Sequence, residues 1–225
     1  MKLATWNSCG GDLLDRCVDL EPFSPDVAIV QECKSSLGAA STQQLWFGNP
    51  GARGVGAVAK SPYSLEPSIA VSGTSHSVYA MRVLGPVSFN LLAVWAKPDP
   101  SYVSAALDGI LQFESLLESP TVIIGDFNSH WRWDKSELVN HSHLIERLEG
   151  FGLVSAYHSI HGREDEIPTL YWRWQQDAKY HIDYCFVPRS WQPQLKSVVI
   201  GNYEDWAEKS DHRPLVVEVN TAEHS

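Results

Sequence analysis

An α/β layered sandwich built on mixed sheets is the fold class this sequence predicts. Three observations carry it. Apolar runs at residues 3–6, 27–30 and 122–124 lead straight into polar residues, which is how a buried strand delivers side chains at its end. Residues 77–84 and 87–96 read as two strands joined by a tight turn at Gly85-Pro86, a hairpin. Elsewhere strands alternate with helical periodicity, and hairpins beside strand–helix–strand units imply mixed sheets with helices outside.

The elements follow in order. Residues 12–20 carry Leu13, Leu14, Cys17, Val18 and Leu20 at helical spacing, with Asp12 a candidate N-cap after Gly10-Gly11. Pro22 and Pro25 close that helix before the second strand. A strand is expected at 55–60. Residues 101–117 predict one helix whose apolar side is Val103, Ala106, Leu107, Ile110, Leu111, Phe113 and Leu117. Then come a strand at 121–124, a helix near 142–148, and strands at 182–187, 195–200 and 215–219. No repeat or low-complexity tract divides residues 1–225, so a single domain is expected.

Composition bounds the function. A chain of 225 residues buries roughly 70–75% of its unfolded surface and needs no disulfide to fold. The longest apolar candidate, 87–96, is interrupted by Ser88 and Asn90 and is far short of the ~20 residues of a membrane span. The start lacks a signal-peptide pattern, so a cytoplasmic location and no membrane partner are expected. Cys9, Cys17, Cys33 and Cys185 have no metal-finger spacing and read as free thiols. A net charge of −10 argues against gripping long duplex nucleic acid mainly through phosphates. It suits short, single-stranded or small phosphorylated substrates, and a local basic patch or a metal ion can offset the field.

Four segments concentrate the chemistry: Thr5-Trp6-Asn7, Gln31-Glu32, Gly125-Asp126-Phe127-Asn128 and Ser210-Asp211-His212. Residues two apart on a strand share a face, so Asp126 and Asn128 point together if the strand continues to its end. Glu32 and Asn7 add hard oxygen donors, which suit Mg²⁺ or Mn²⁺ rather than Zn²⁺. His212 titrates near neutrality beside them. Taken singly, each has an ordinary explanation: Asn7 a strand-end residue, Glu32 a surface carboxylate, Gly-Asp-Phe-Asn a turn, Asp211-His212 a cap before Pro214. Their order and similar strand contexts are what speak for a site.

The ordered set Thr-Trp-Asn, Gln-Glu, Gly-Asp-Phe-Asn, Ile-Asp-Tyr and Ser-Asp-His, from Ala4 to Pro214, resembles the exonuclease-endonuclease-phosphatase superfamily, the deoxyribonuclease-I-like fold. The resemblance implies a four-layer α/β sandwich of two mixed β-sheets flanked by helices, with a Mg²⁺-dependent site at the strand ends. It implies that Glu32 and Asn7 hold the metal, with Asp211 supporting its water shell. By the same resemblance Asp126 orients or deprotonates the attacking water, and Asn128 helps place water and phosphate. His212 donates to a phosphoryl oxygen, and Asp183 orients His212. Arg53 matches a substrate-side arginine of some members. Trp95 departs from the pattern, since relatives often carry Tyr or His there; its indole N–H can only donate.

Two echoing triplets complete the reading, Trp131-Arg132-Trp133 and Trp172-Arg173-Trp174. One lies just past Asn128 and the other shortly before Asp183, which places both at the rim of the expected site. Aromatic faces interleaved with arginines suit base stacking and phosphate contact, although tryptophans also bury as packing residues, and at least half of these four are expected to do so. The expectation is therefore a Mg²⁺- or Mn²⁺-dependent phosphodiester hydrolase acting on nucleic acid or another phosphorylated substrate, with no obligate protein partner. A small-substrate phosphatase or phosphodiesterase of the same fold is the alternative, and a binding module with a degenerate site is a third.

Overall fold

The computed structural model of the chain describes residues 1–36, 43–68, 76–134 and 139–221. Its elements begin with β1 (Lys2–Asn7), α1 (Leu13–Asp19), β2 (Val27–Cys33), β3 (Gln44–Phe47), β4 (Gly54–Ala59) and β5 (Ser64–Pro67). The hairpin β6 (Val78–Leu84) and β7 (Phe89–Trp95) precedes α2 (Tyr102–Leu111) and β8 (Thr121–Asp126). Next are α3 (His141–Gly150), β9 (Leu153–Ser155), α4 (Ala156–His161), β10 (Leu170–Tyr171) and β11 (Lys179–Tyr180). The last are β12 (Asp183–Pro188), β13 (Leu195–Ile200), α5 (Tyr203–Trp206) and β14 (Leu215–Val219).

Two mixed six-stranded sheets result, ordered β13-β14-β1-β2-β4-β3 and β5-β6-β7-β8-β12-β9. Each has one parallel pair, β1–β2 in the first and β7–β8 in the second. Period-two alternation explains the layering. Leu3 and Ile29 face the gap between the sheets, where they meet Leu91, Ile124 and Leu215 in one apolar cluster. Their neighbours Ala4, Trp6 and Val30 face outward and pack with Leu13 and Trp206. In the second sheet, Leu92 and Ile123 face outward onto Ala106, Ile110, Leu144 and Leu148 of α2 and α3. Strands buried on both faces read as unbroken apolar runs, which is why these were legible. The fold is a four-layer α/β sandwich.

Two local expectations change. The helix expected over 101–117 ends at Leu111, and a 3₁₀ turn, Glu114–Glu118, follows it. Between them Phe113 leaves helical geometry (φ −111°, ψ 23°) and buries its ring in the cluster of Ala106 and Ile110. Burying that ring offsets the loss of fewer than two further turns of helix. At α1, Asp12 is the N-cap residue but its side chain caps nothing; the Leu14 N–H donates to Ser36 Oγ instead. No helix among the described residues is long and apolar enough to cross a membrane.

Candidate active site

Two backbone irregularities build the site. β2 carries a bulge between Gln31 and Cys33, and the bulged residue is Glu32, held at φ 59°. A non-glycine residue in that region costs on the order of 1 kcal/mol and re-aims its side chain out of the ladder. Gln31 is locked beneath it, fully buried and donating to Thr5 Oγ1 at 2.8 Å. In the second sheet β8 ends at Asp126, so the strand does not carry Asn128 to the same face as expected. Asn128 turns left-handed (φ 47°), and this turn brings it back onto Asp126: its N–H meets Oδ1 and its Nδ2 meets Oδ2, both at 2.9 Å. Gly125 is required just before, since a Cβ there would stand 2.0 Å from the Val94 carbonyl oxygen.

The polar residues then meet across the seam between the sheets. Asn7, at the end of β1, donates through Nδ2 to Glu32 Oε1 and to Asp126 Oδ2, each at 3.0 Å. Its Oδ1 accepts from the Cys9 N–H. His212, just before β14, places Nδ1 2.9 Å from Asp183 Oδ2 at the start of β12. Single ligand atoms of Asp126, Asp183 and His212 all lie within 4.8 Å of one another, and all three residues are buried. The second carboxylate oxygen of Asp183 has no hydrogen-bond partner among the described residues.

Burial and mutual charge set the protonation states. Burial raises the Asp126 pKa; His212 lowers it and Asp183 raises it, and the upward shift prevails. Burial alone would lower the His212 pKa, but Asp183 and Asp126 outweigh it, so the imidazole titrates well above its ordinary value. A buried histidine facing two carboxylates is a cation at neutral pH. Its Nδ1–H is spent on Asp183, which leaves Nε2–H as the donor available to the site.

The remaining expected residues sit at the rim. Arg53, about half exposed, ion-pairs with Glu32, whose side chain is only partly shielded. Asp211 is partly buried, and both Asp211 and Glu32 help burial, the larger cause, to raise the Cys9 thiol pKa. Trp95 is in register with Asp126 on the neighbouring strand. The expectation that half or more of the rim tryptophans serve as packing is corrected: Trp131, Trp133, Trp172 and Trp174 are 49%, 42%, 52% and 47% exposed.

Several supporting residues carried no signal in the motifs. Lys97 stacks its ammonium over Trp95 at 4.3 Å, and Glu32 is near enough to oppose the lowering of its pKa by burial. Thr169 Oγ1 accepts from the N–H groups of Ile182 and Asp183, both at 3.0 Å, and so fixes Asp183. Ser210 Oγ donates to the Asn7 carbonyl and receives the His212 N–H. Arg213, fully buried between the rings of Tyr171 and Tyr203, donates to the carbonyls of Ser210 and His212. Its place directly after Ser210-Asp211-His212 was the one available hint.

A divalent cation suits this donor set. Glu32 is the accessible carboxylate, flanked by Asn7 and Asp126, and a guanidinium already occupies its outer oxygen, which marks the position as one that attracts positive charge. The donors are hard oxygens, apart from the histidine engaged with Asp183.

Comparison with known proteins agrees with this geometry. The profile of the Endonuclease/Exonuclease/phosphatase family matches residues 4–212. No curated protein sequence matches the chain. Among solved structures, the chain is similar to the 3′ phosphatase NExo from Neisseria bound to product DNA hairpin. The TM-score is 0.74 at 19% identity, covering 98% of this chain and 99% of that one. An AP endonuclease from Archaeoglobus fulgidus gives 0.72 at 16% identity, covering 98% and 99%. The endonuclease domain of TRAS1, a telomere-specific non-LTR retrotransposon, gives 0.72 at 14%, covering 99% of each chain. With a family match spanning nearly its whole length and the site's carboxylates, amides and histidine assembled across the seam between the two sheets, the chain belongs to the Endonuclease/Exonuclease/phosphatase family of metal-dependent phosphoesterases.

Proposed function

We propose that the protein hydrolyses phosphodiester bonds of nucleic acid by in-line attack of water, with Mg²⁺ or Mn²⁺ as cofactor. The single observation that carries the reading is the Asp126–Asp183–His212 cluster, which Asn7 links to Glu32 across the two sheets. Glu32 would hold the cation with Asp211 alongside, and Asn7, whose Nδ2 donates to Glu32, would add its amide oxygen only by turning the amide over from the Cys9 N–H. When bound, the cation neutralises charge on a phosphoryl oxygen.

The chain's own residues supply the rest. Asp126 accepts a proton from the attacking water, and its raised pKa suits a base that must gain a proton during turnover. Asn128 and Asn7 fix its carboxylate by hydrogen bonds, so the proton acceptor is aimed before substrate arrives. His212 donates Nε2–H to a phosphoryl oxygen as negative charge builds there, and Asp183 keeps the imidazole oriented and protonated. Arg53 and Lys97 are cations placed to meet the substrate phosphates, and Trp95, in register with Asp126, carries an indole N–H that can only donate. Trp131, Arg132, Trp172 and Arg173 meet the rest of the substrate.

Nucleic acid as substrate is supported by the DNA named in the NExo structure and by the exposed tryptophans of both Trp-Arg-Trp segments. Four free cysteines fit a cytoplasmic enzyme. The net charge of −10 favours a second reading, removal of phosphate from small molecules or strand ends. A panel of single- and double-stranded DNA, RNA, 3′-phosphorylated strands and nucleotides, with Mg²⁺, Mn²⁺ or chelator, decides between them. Phosphodiester cleavage that chelator abolishes supports the proposal; release of inorganic phosphate alone supports the second reading. Cleavage indifferent to chelator removes the metal from both.

A further inference from the structure

The two Trp-Arg-Trp segments are not separate features on opposite sides of the site. Trp133 packs on Tyr180, ring centroids 4.6 Å apart. Tyr180 lies on β11, which pairs with β10 so that Lys179 faces Tyr171, and Trp172 follows directly, its N–H bonded to the Ala178 carbonyl. β10 is itself tied to the catalytic loop. Leu170 bridges His212, and the Tyr171 N–H donates to the Asp211 carbonyl at 2.8 Å. One aromatic ridge therefore runs along the β10–β11 ribbon beside His212, with exposed tryptophans at both ends.

The ridge is held rigid by the edges of its rings. The indole N–H of Trp131 donates to Glu166 and that of Trp174 to the Ala207 carbonyl, at 3.0 and 2.8 Å. Polar edges turned inward leave aromatic surface to the solvent. Arg173 and Trp174 hold left-handed backbone (φ 53° and 60°), a strained pair of non-glycine residues that persists only where the surroundings enforce it. Arg132 and Arg173 lie over the rings of Trp131 and Trp172, at 5.3 and 4.7 Å, adding cations suited to an anionic backbone.

We propose that this ridge binds an unpaired nucleic-acid strand, whose bases stack on tryptophans at both ends of the ribbon while its backbone passes His212. The inference rests on the nucleic-acid phosphodiesterase reading and deepens it. In a duplex both faces of every internal base are covered by its neighbours, and a blunt end offers one open face. Two aromatic platforms at separate ends of one ribbon need separate open bases, which only an unpaired strand supplies. The acidic balance of the chain fits the same occupant, since binding by stacking leans less on phosphate contacts than duplex binding does.

The test is equilibrium binding, by fluorescence anisotropy, of a phosphorothioate-linked single strand and a blunt hairpin duplex of the same sequence, each as DNA and as RNA, with Mg²⁺ present. Trp133→Ala and Trp172→Ala are compared with wild type and with Val18→Ala, an exposed position on α1 outside both Trp-Arg-Trp segments. Expected is tighter binding of the single strand, weakened about 5- to 150-fold by each tryptophan change and unaltered by Val18→Ala. Duplex bound as tightly as single strand, or both tryptophan variants within twofold of wild type, would overturn the ridge. If the variants bind normally while wild type cleaves unmodified nucleic acid, the ridge fails and the phosphodiesterase reading stands. If ridge binding holds but no unmodified strand is cleaved, the reading of the activity fails and the binding surface stands.

Discussion

His212 and Asp183 meet across the seam of the sandwich, Nδ1 to Oδ2 at 2.9 Å, one from the loop before β14 and the other from the first residue of β12. The pair joins the two sheets and charges the imidazole at the same time. Its geometry is reinforced from both sides, by Thr169 beneath Asp183 and by Arg213 and Trp6, which both donate to the His212 carbonyl. A group so fixed is prepared to donate without rearrangement.

Removing the imidazole should therefore cost rate rather than fold. His212→Ala is expected to lower turnover on the order of 10²–10⁴-fold with substrate binding retained. In the pH–rate profile the acidic limb follows protonation of Asp126, and the basic limb follows loss of the His212 proton. Asp183→Asn removes the anion that raises the His212 pKa, so the basic limb should move to lower pH. A basic limb unmoved by Asp183→Asn would sever the histidine from its assigned partner.

If Glu32 holds the cation, Arg53 must compete with it for the carboxylate. The ion pair is half exposed, so it is worth roughly 0.2–1 kcal/mol. Arg53→Ala should tighten Mn²⁺ binding about two- to fivefold in the absence of substrate, measured by calorimetry. Glu32→Ala should fold normally yet lose both the metal-induced rise in Tm and the activity. Equal Mn²⁺ affinity in wild type and Arg53→Ala would show that the guanidinium does not contest the site.

If Arg132 and Arg173 each meet a phosphate, each replacement by alanine removes about one counterion release. The slope of log K against log salt for a single strand should flatten by about 0.7 per variant. Unchanged slopes would confine these arginines to bracing the tryptophan rings they cover.

Acid should weaken the fold through a histidine outside the motifs. Burial lowers the His141 pKa to about 4, so the folded state resists a proton that the unfolded chain takes up from about pH 6.5 downward. With a depressed folded pKa, its contribution is present above pH 6.5 and is lost as pH falls toward 4. At pH 5 the loss is about 2 kcal/mol. His141→Asn keeps a partner for Ser129 and does not titrate, so its stability should fall less than wild type between pH 7 and pH 5. Asp126 and His212 titrate in both proteins and cancel in the difference. Parallel urea-unfolding curves at the two pH values would refute the assignment.

Much of this was legible because it is periodic. The inner strands of both sheets, the hairpin and the apolar sides of α2 and α3 repeat every two or three to four residues, and a local pattern records them. The motif residues were legible because Asn7, Glu32 and Asp126 each come within two residues of the end of an apolar run. What the sequence did not disclose is set by tertiary context. Glu166 binds His130, His158 and Trp131 from far along the chain, and nothing near it predicts that role. Thr169, Lys97 and Arg213 become significant only once the two sheets are packed together. The β10–β11 ribbon, two residues per strand, is too short to leave a pattern, yet it turns two suspicious triplets into one surface.

The bulge at Glu32 also sets a rule for anyone transplanting or redesigning this site. Counting by alternation along β2 puts Glu32 on the wrong side, and every residue after it is out of phase by one. Deleting a single residue there would restore a regular ladder, and the ladder would be the more comfortable backbone. Deleting Gln31, for example, would move the Glu32 carboxylate into the fully buried position that Gln31 now holds against Thr5, where a cation could not reach it.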